Sequence, residues 1–242
     1  MHLENIAIDA GDPALLGRFW ATLLGAEVIT DEPDLLEARL VIDDSDGSFL
    51  DLCLPRVPEP VTPHPRLHLD LQGGRGQQAV VERAVQLGAR LLDIGQEDVP
   101  WVVLQDPEGN PFCVMEHRPE YERSGPVAAL PLHSADPDRD LEIWRYLSGW
   151  VSEPGSPIPA LRHPSGYGPL LEICHERRPR PEGAKNRLHL DARLAAGDDG
   201  DEVAERVREL GGGAVDHDWG ELPWRVLHDA SGNEVCVLPA RS

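Results

Sequence analysis

A chain of 242 residues with 40% hydrophobic content is long enough for two domains, each with a core of its own. Its 43 acidic residues against 22 basic ones leave a formal net charge of -21, which repels a phosphate backbone or an anionic membrane surface, so no nucleic-acid or membrane partner is expected. No apolar run is long enough to span a bilayer and no basic-then-apolar leader opens the chain, so a soluble, cytoplasmic protein is expected.

In chain order, residues 5–8 read as a short strand. Asp12 then caps a helix that runs to about Leu24, with Pro13 in its first turn and Gly25 ending it. Three strands follow at 26–30, 36–42 and 49–54, separated by turn-forming Asp, Gly, Pro and Ser. After a proline-rich connector at 55–65 the same order returns, with a strand at 67–71, a helix at 77–87 and strands at 91–94, 101–104 and 112–115. The polar stretch 116–125 reads as a mobile inter-domain linker. Beyond it lie a strand at 129–132, a helix at 138–147, strands at 170–174 and 188–192, and a helix at 201–210; the Pro-, Gly- and Ser-rich stretch 151–167 gives no firm strand.

The chain repeats itself. Arg66-Leu-His-Leu-Asp-Leu71 is answered by Arg187-Leu-His-Leu-Asp-Ala192, with His189 placed 121 residues after His68. Trp101 is answered by Trp224, and the turn Asp106-Pro-Glu-Gly-Asn110 by Asp229-Ala-Ser-Gly-Asn233. Leu-Gly-Ala helix exits at 24–26 and 87–89 mark a weaker repeat inside the first copy. Two large repeats, each of two strand–helix–three-strand units, account for this pattern.

Strand alternation sorts the side chains. Leu67, Leu69 and Leu71 share the face that a helix must cover, while His68 and Asp70 share the other. Asp51 and Cys53 likewise oppose Leu50, Leu52 and Leu54, and Cys113 opposes Phe112 and Val114. The second repeat places Glu172, Cys174, His189, Asp191 and Cys236 on the corresponding polar face. The four cysteines read as reduced thiols acting as small hydrophobes. Lys185, the only lysine, leaves no room for Schiff-base chemistry elsewhere.

The paired units, the Arg-Leu-His-Leu-Asp strand, the Leu-Gly-Ala exits and the Asp-Pro-Glu-Gly-Asn turn together resemble the vicinal oxygen chelate superfamily. Within it the chain is similar to the glyoxalase-like domains related to bleomycin-resistance proteins, in tandem. The resemblance implies an α+β fold with domains at 1–118 and 126–242 joined by 119–125, each a pair of βαβββ units forming a curved mixed sheet, or cup, with helices on its outer face. In metal-using relatives, His, Gln or Glu ligands stand on the first and last strands of each unit. Carried over, those positions hold Asn5, Asp51, His68 and Cys113 in the first repeat, and Ala129, Glu172, His189 and Cys236 in the second. Ala129 can bind nothing, a Cys replaces the expected final Glu in both repeats, and the two-His-one-Glu set of the extradiol dioxygenases is absent. No cofactor is therefore expected; should a divalent metal bind, the available sets are Asp51, His68 and Cys113, or Glu172, His189 and Cys236.

The leading expectation is a metal-independent protein that holds an apolar or aromatic small molecule, in the manner of drug sequestration. Asn5, Asp70, Trp101, Cys113, Asp191, Trp224 and Cys236 would contact that ligand. Trp20 and Trp144 read as core, whereas Trp101 and Trp224 are either core or cup-rim indoles. The alternative is an enzyme, a lyase, isomerase or dioxygenase-related protein acting beside a carbonyl, with His68 or His189 as base and Asp51 or Glu172 orienting it. A third reading has the second repeat as a buttress that has lost its cup. Whether cups close within one chain or by exchange between chains is left open; a monomer is expected, with a homodimer as the alternative.

Overall fold

A computed structural model of the protein describes residues 1–57, 65–176, 185–217 and 220–241; residues 58–64 of the proline-rich connector lie outside this set. Four βαβββ units follow one another. The first is β1 (His2–Ile8), α1 (Pro13–Leu24), β2 (Glu27–Glu32), β3 (Leu35–Asp43) and β4 (Ser48–Pro55). The second is β5 (Leu69–Gly74), α2 (Gln77–Gln86), β6 (Arg90–Leu91), β7 (Val102–Gln105) and β8 (Pro111–Glu116). The third is β9 (Val127–Ser134), α3 (Pro137–Ser148), β10 (Val151–Ser152), β11 (Ala160–Arg162) and β12 (Leu170–His175). The fourth is β13 (Leu188–Arg193), α4 (Gly200–Glu209), β14 (Gly213–Ala214), β15 (Arg225–His228) and β16 (Glu234–Leu238). Among the described residues no helix is long and apolar enough to cross a membrane.

Local chemistry sets the helix ends. Asp12 accepts a hydrogen bond from the Leu15 N–H at 3.1 Å, Pro13 opens α1, and Gly25 closes it with φ 69°. The third unit repeats this with Asp136, Pro137 and Gly149 around α3.

The strands form two eight-stranded mixed sheets, in the orders β14-β15-β16-β13-β1-β4-β3-β2 and β10-β11-β12-β9-β5-β8-β7-β6. In the first, β1 lies parallel to β4 and antiparallel to β13, with Ile6 opposite Leu190. In the second, β5 lies parallel to β8 and antiparallel to β9, with Asp70 opposite Ala129. The expected α+β arrangement of paired βαβββ units is thus what the chain adopts. The pairs cross between repeats: units one and four share the first sheet, and units two and three the second.

The apolar alternate positions of both sheets, among them Ile6, Leu52, Leu69, Phe112, Leu130 and Leu190, join Leu16, Trp20 and Trp144 of the helices in one continuous core. Trp20 and Phe19 of α1 meet Phe112 of β8 edge-on at 5.0 and 6.2 Å, so a first-unit helix packs onto the second sheet. Each buried helix indole also donates to the turn of the following unit, Trp20 Nε1 to Asp106 at 3.2 Å and Trp144 Nε1 to Asp229 at 2.9 Å. The arginines of the duplicated motif pin the repeats together: Arg66 donates to Asn233 and the His133 carbonyl, and Arg187 to Glu108 and the Asp9 carbonyl. The stretch 116–125 is not loose. It carries a 3₁₀ turn at Pro119–Tyr121 and sends Tyr121 into the molecule, only 2% exposed. A large aromatic ring with an apolar pocket beside it outweighs the polarity of its neighbours.

Candidate functional site

The faces of the two sheets opposite the core are two cups, related by the internal repeat. In the first, register places Asn5 of β1 between Asp51 of β4 and Asp191 of β13, with Cys236 of β16 beside Asp191. His189 lies two residues before Asp191 on the same face, its Nε2 3.3 Å from Asp191 Oδ1 and 3.6 Å from Cys236 Sγ. Asn5 Nδ2 donates to the other Asp191 oxygen at 2.9 Å. Burial alone would lower the His189 pKa, but hydrogen bonding and charge from Asp191 and Cys236 raise it well above the ordinary histidine value. Across the floor, the Arg39 guanidinium grips Asp51 through two hydrogen bonds of 2.9 and 2.8 Å and lies 3.7 Å from the centre of the Phe49 ring. Trp224, just before β15, is 38% exposed at the rim.

The second cup carries the same motif. His68 Nε2 is 3.3 Å from Asp70 Oδ1, and Cys113 pairs with Asp70 across the strands. Glu172 occupies the place of Asp51, but Ala160, opposite Glu172 on β11, replaces the arginine. Tyr121 fills the space so opened. Its ring belongs to one apolar cluster with Val103, Cys113, Met115, Ala129, Ala160 and Leu170, and its hydroxyl donates to Glu172 Oε1 at 3.1 Å. Arg118 donates to the same hydroxyl at 3.4 Å, and its guanidinium lies over the rings of Tyr121 and Trp101. Arg162 holds this segment from below through the carbonyls of Glu120 and Gly168. Burial, with the Asp70 charge nearby, raises the Glu172 pKa to about 7. Burial also raises the Cys113 thiol, with Asp70 adding to the effect.

The expected combinations are therefore regrouped. Asp51 does not meet His68, nor Glu172 His189, because the sheets pair across repeats; each histidine instead meets the aspartate two residues along its own strand. The expected metal sets Asp51, His68, Cys113 and Glu172, His189, Cys236 are not assembled for the same reason. The second repeat is not the one that has lost its cup, since each cup draws on both repeats. Asn5, Asp191 and Cys236 do converge around His189, and Asp70 and Cys113 around His68. Trp101 is half-buried beneath Arg118, while Trp224 is exposed. Arg39, Arg118 and Tyr121 were not singled out by sequence reasoning. Glu37 and Arg39, alternating with the buried Leu36, Ala38 and Leu40, were the available signal for a charged cup wall, and a lone tyrosine in a charged run was the signal for the plug.

The chemistry of the donors bears on a metal. His189, Asp191 and Cys236 each offer one atom within 4.8 Å of the others, as do His68, Asp70 and Cys113. Tetrahedral zinc with bonds of about 2.0–2.3 Å places neighbouring donors roughly 3.3–3.7 Å apart, which the 3.3 and 3.6 Å separations around His189 Nε2 match. The buried Oδ1 atoms of Asp70 and Asp191 each face a histidine Nε2 at 3.3 Å and, among the described residues, accept no hydrogen bond of good geometry. The residues fit a zinc-class ion.

The profile described as "Glyoxalase-like domain" matches residues 5–115 and 129–238. A comparison with curated protein sequences finds no match. Among solved structures, glyoxalase I of Zea mays is similar at 15% identity and a TM-score of 0.62, covering 98% of this chain and 92% of its own. A Bacillus subtilis protein assigned as a dioxygenase is similar at 14% identity and a TM-score of 0.56, covering 100% of this chain and 86% of its own. At such identities the likeness to these structures is one of fold. With two profile matches that span nearly the whole chain, and the tandem βαβββ units to go with them, the chain belongs to the glyoxalase-like domain family of the vicinal oxygen chelate superfamily.

Proposed function

We propose that this protein holds a small molecule in the first cup alone, the second being closed by its own chain. One contrast carries the reading: Tyr121 fills the second cup at 2% exposure, while Trp224 at the rim of the first is 38% exposed. Arg39, Asp51 and the His189–Asp191–Cys236 cluster form the polar floor, and Phe49 and Trp224 the apolar walls, a mixture suited to orienting a small ligand with an apolar body. Because both sheets close within one chain, we propose that the monomer is the working unit.

A second reading has its own support in the donor spacing around His189, whose Nε2 lies 3.3 Å from Asp191 Oδ1 and 3.6 Å from Cys236 Sγ. In it His189, Asp191 and Cys236 hold a zinc-class ion that supplies Lewis acidity to a carbonyl oxygen. Asp51, held by Arg39, would then orient the substrate, and the protein would be an enzyme.

Thermal unfolding with a panel of aromatic and aliphatic small molecules, with and without zinc, tests both readings on the wild type, Trp224→Ala and His189→Ala. Ligands that raise Tm only when Trp224 is present support the first. Zinc stabilisation that His189→Ala removes supports the second. Ligands that act equally on wild type and Trp224→Ala would overturn the first-cup reading.

A further inference from the structure

The second cup shows what its shape accepts, because a side chain of the protein itself sits there. Tyr121 presents one six-membered ring and one hydroxyl, with the ring among apolar cup residues and the hydroxyl between a carboxylate and a guanidinium. The repeat maps this environment onto the first cup. Glu172 corresponds to Asp51, Leu170 to Phe49, Val103 to Val226, Cys113 to Cys236, and Trp101 to Trp224.

In the first cup, among the described residues, no hydroxyl donates to Asp51 as Tyr121 does to Glu172. Leu170 is fully buried, whereas its counterpart Phe49 is only partly so; Met115 is buried, whereas Leu238 is only partly covered. The guanidinium that Arg118 brings from outside in the second cup comes from the wall in the first, where Arg39 stands in the register position of Ala160. Its Nε and Nη2 are occupied by Asp51, and among the described residues no hydrogen bond engages Nη1. A carboxylate and a guanidinium side by side suit a hydroxyl, which donates to the first and accepts from the second.

We infer that the first cup binds a phenol-class ligand, a single aromatic ring bearing a hydroxyl, and that Tyr121 is the built-in counterpart of that ligand in the second cup. The ring lies between Phe49 and Trp224 and the hydroxyl meets the Arg39–Asp51 pair. This inference rests on the first cup being the working one.

The test uses 4-methylphenol, which is the tyrosine side chain as a free molecule, with toluene as the same ring without the hydroxyl. Equilibrium dialysis against the full-length protein should find one equivalent of 4-methylphenol bound, at least tenfold more tightly than toluene. Trp224→Ala should weaken binding at least tenfold. Tyr121→Ala should raise the stoichiometry to two, and Tyr121→Phe, which keeps the plug, should leave it at one. Should Tyr121→Ala fail to fold, the toluene comparison and Trp224→Ala still decide the matter. Equal binding of toluene and 4-methylphenol, or binding indifferent to Trp224, overturns the assignment. If 4-methylphenol fails while an aliphatic molecule binds in a Trp224-dependent way, the ligand class is wrong and the first-cup reading stands; if nothing binds in that way, the first-cup reading falls as well.

Discussion

Glu172 shows how one side chain can carry the difference between the cups. Its counterpart Asp51 is neutralised by a guanidinium at 2.8–2.9 Å, while Glu172 has a phenol hydroxyl at 3.1 Å and the Asp70 charge close by. An acid whose pKa is raised on folding binds more protons in the native state, so stability is greatest below the unfolded value and falls as pH climbs towards the folded one. For Glu172 the window runs from 4.5 to about 7. A shift of that size corresponds to about 3 kcal/mol lost by pH 8. Glu172→Gln retains an acceptor for Tyr121 and removes the charge, so it should leave stability at pH 4 nearly unchanged and raise it at pH 8. Urea unfolding at the two pH values checks this, and an equal effect at both would refute it. The His189–Asp191 contact has the same sign by the opposite chemistry: a raised histidine pKa stabilises most fully below about 6.5, and the contribution fades as pH rises through the folded value.

At the level of elements, α1 is the clearest case of local rules meeting a tertiary exception. Its cap, its first-turn proline and its closing glycine all obey propensity, yet Gly17 sits in the helix interior, where glycine ordinarily costs about 1 kcal/mol against alanine. Packing explains it. A Cβ at Gly17 would lie 2.4–2.9 Å from the side chain of Leu36 on β3, which is fully buried. Gly17→Ala should therefore destabilise the protein by about 1–3 kcal/mol despite its better helix propensity. Chemical denaturation reads the difference, and a stabilised variant would mean that α1 can move away from the sheet. The stretch 116–125 teaches the reverse lesson: its composition reads as a linker, but Tyr121, Arg118 and the grip of Arg162 make it part of the second cup.

For the whole molecule, the decisive feature is that β1 pairs with β13 and β5 with β9, so neither repeat owns a complete sheet. Cut at the linker, each half would expose two inner strand edges, with unpaired backbone groups and the apolar face behind them. Residues 1–125 produced alone should therefore not remain a soluble monomer; they should self-associate, and adding residues 126–242 should yield a one-to-one complex of the size of the intact chain. Size-exclusion chromatography with light scattering decides this, and a stable monomeric half would show that the first repeat closes its own cup.

Much of this was legible in the residues alone, because it depends on local periodicity. The repeat, the helix ends at Asp12 and Gly25, and the burial of Leu67, Leu69 and Leu71 against the exposure of His68 to a cup all follow from alternation and capping, which act over a few residues. Even the His–Asp contacts were implicit in the His-Leu-Asp spacing, since strand geometry puts positions two apart on one face. What only the tertiary structure decided was partnership between distant elements. Either pairing of the four units satisfies the same hydrophobic pattern, so strand periodicity cannot choose between β1 with β5 and β1 with β13. That choice separates Asp51 from His68, brings Asn5 to Asp191, and sets Tyr121 of the linker against Glu172 in the second cup.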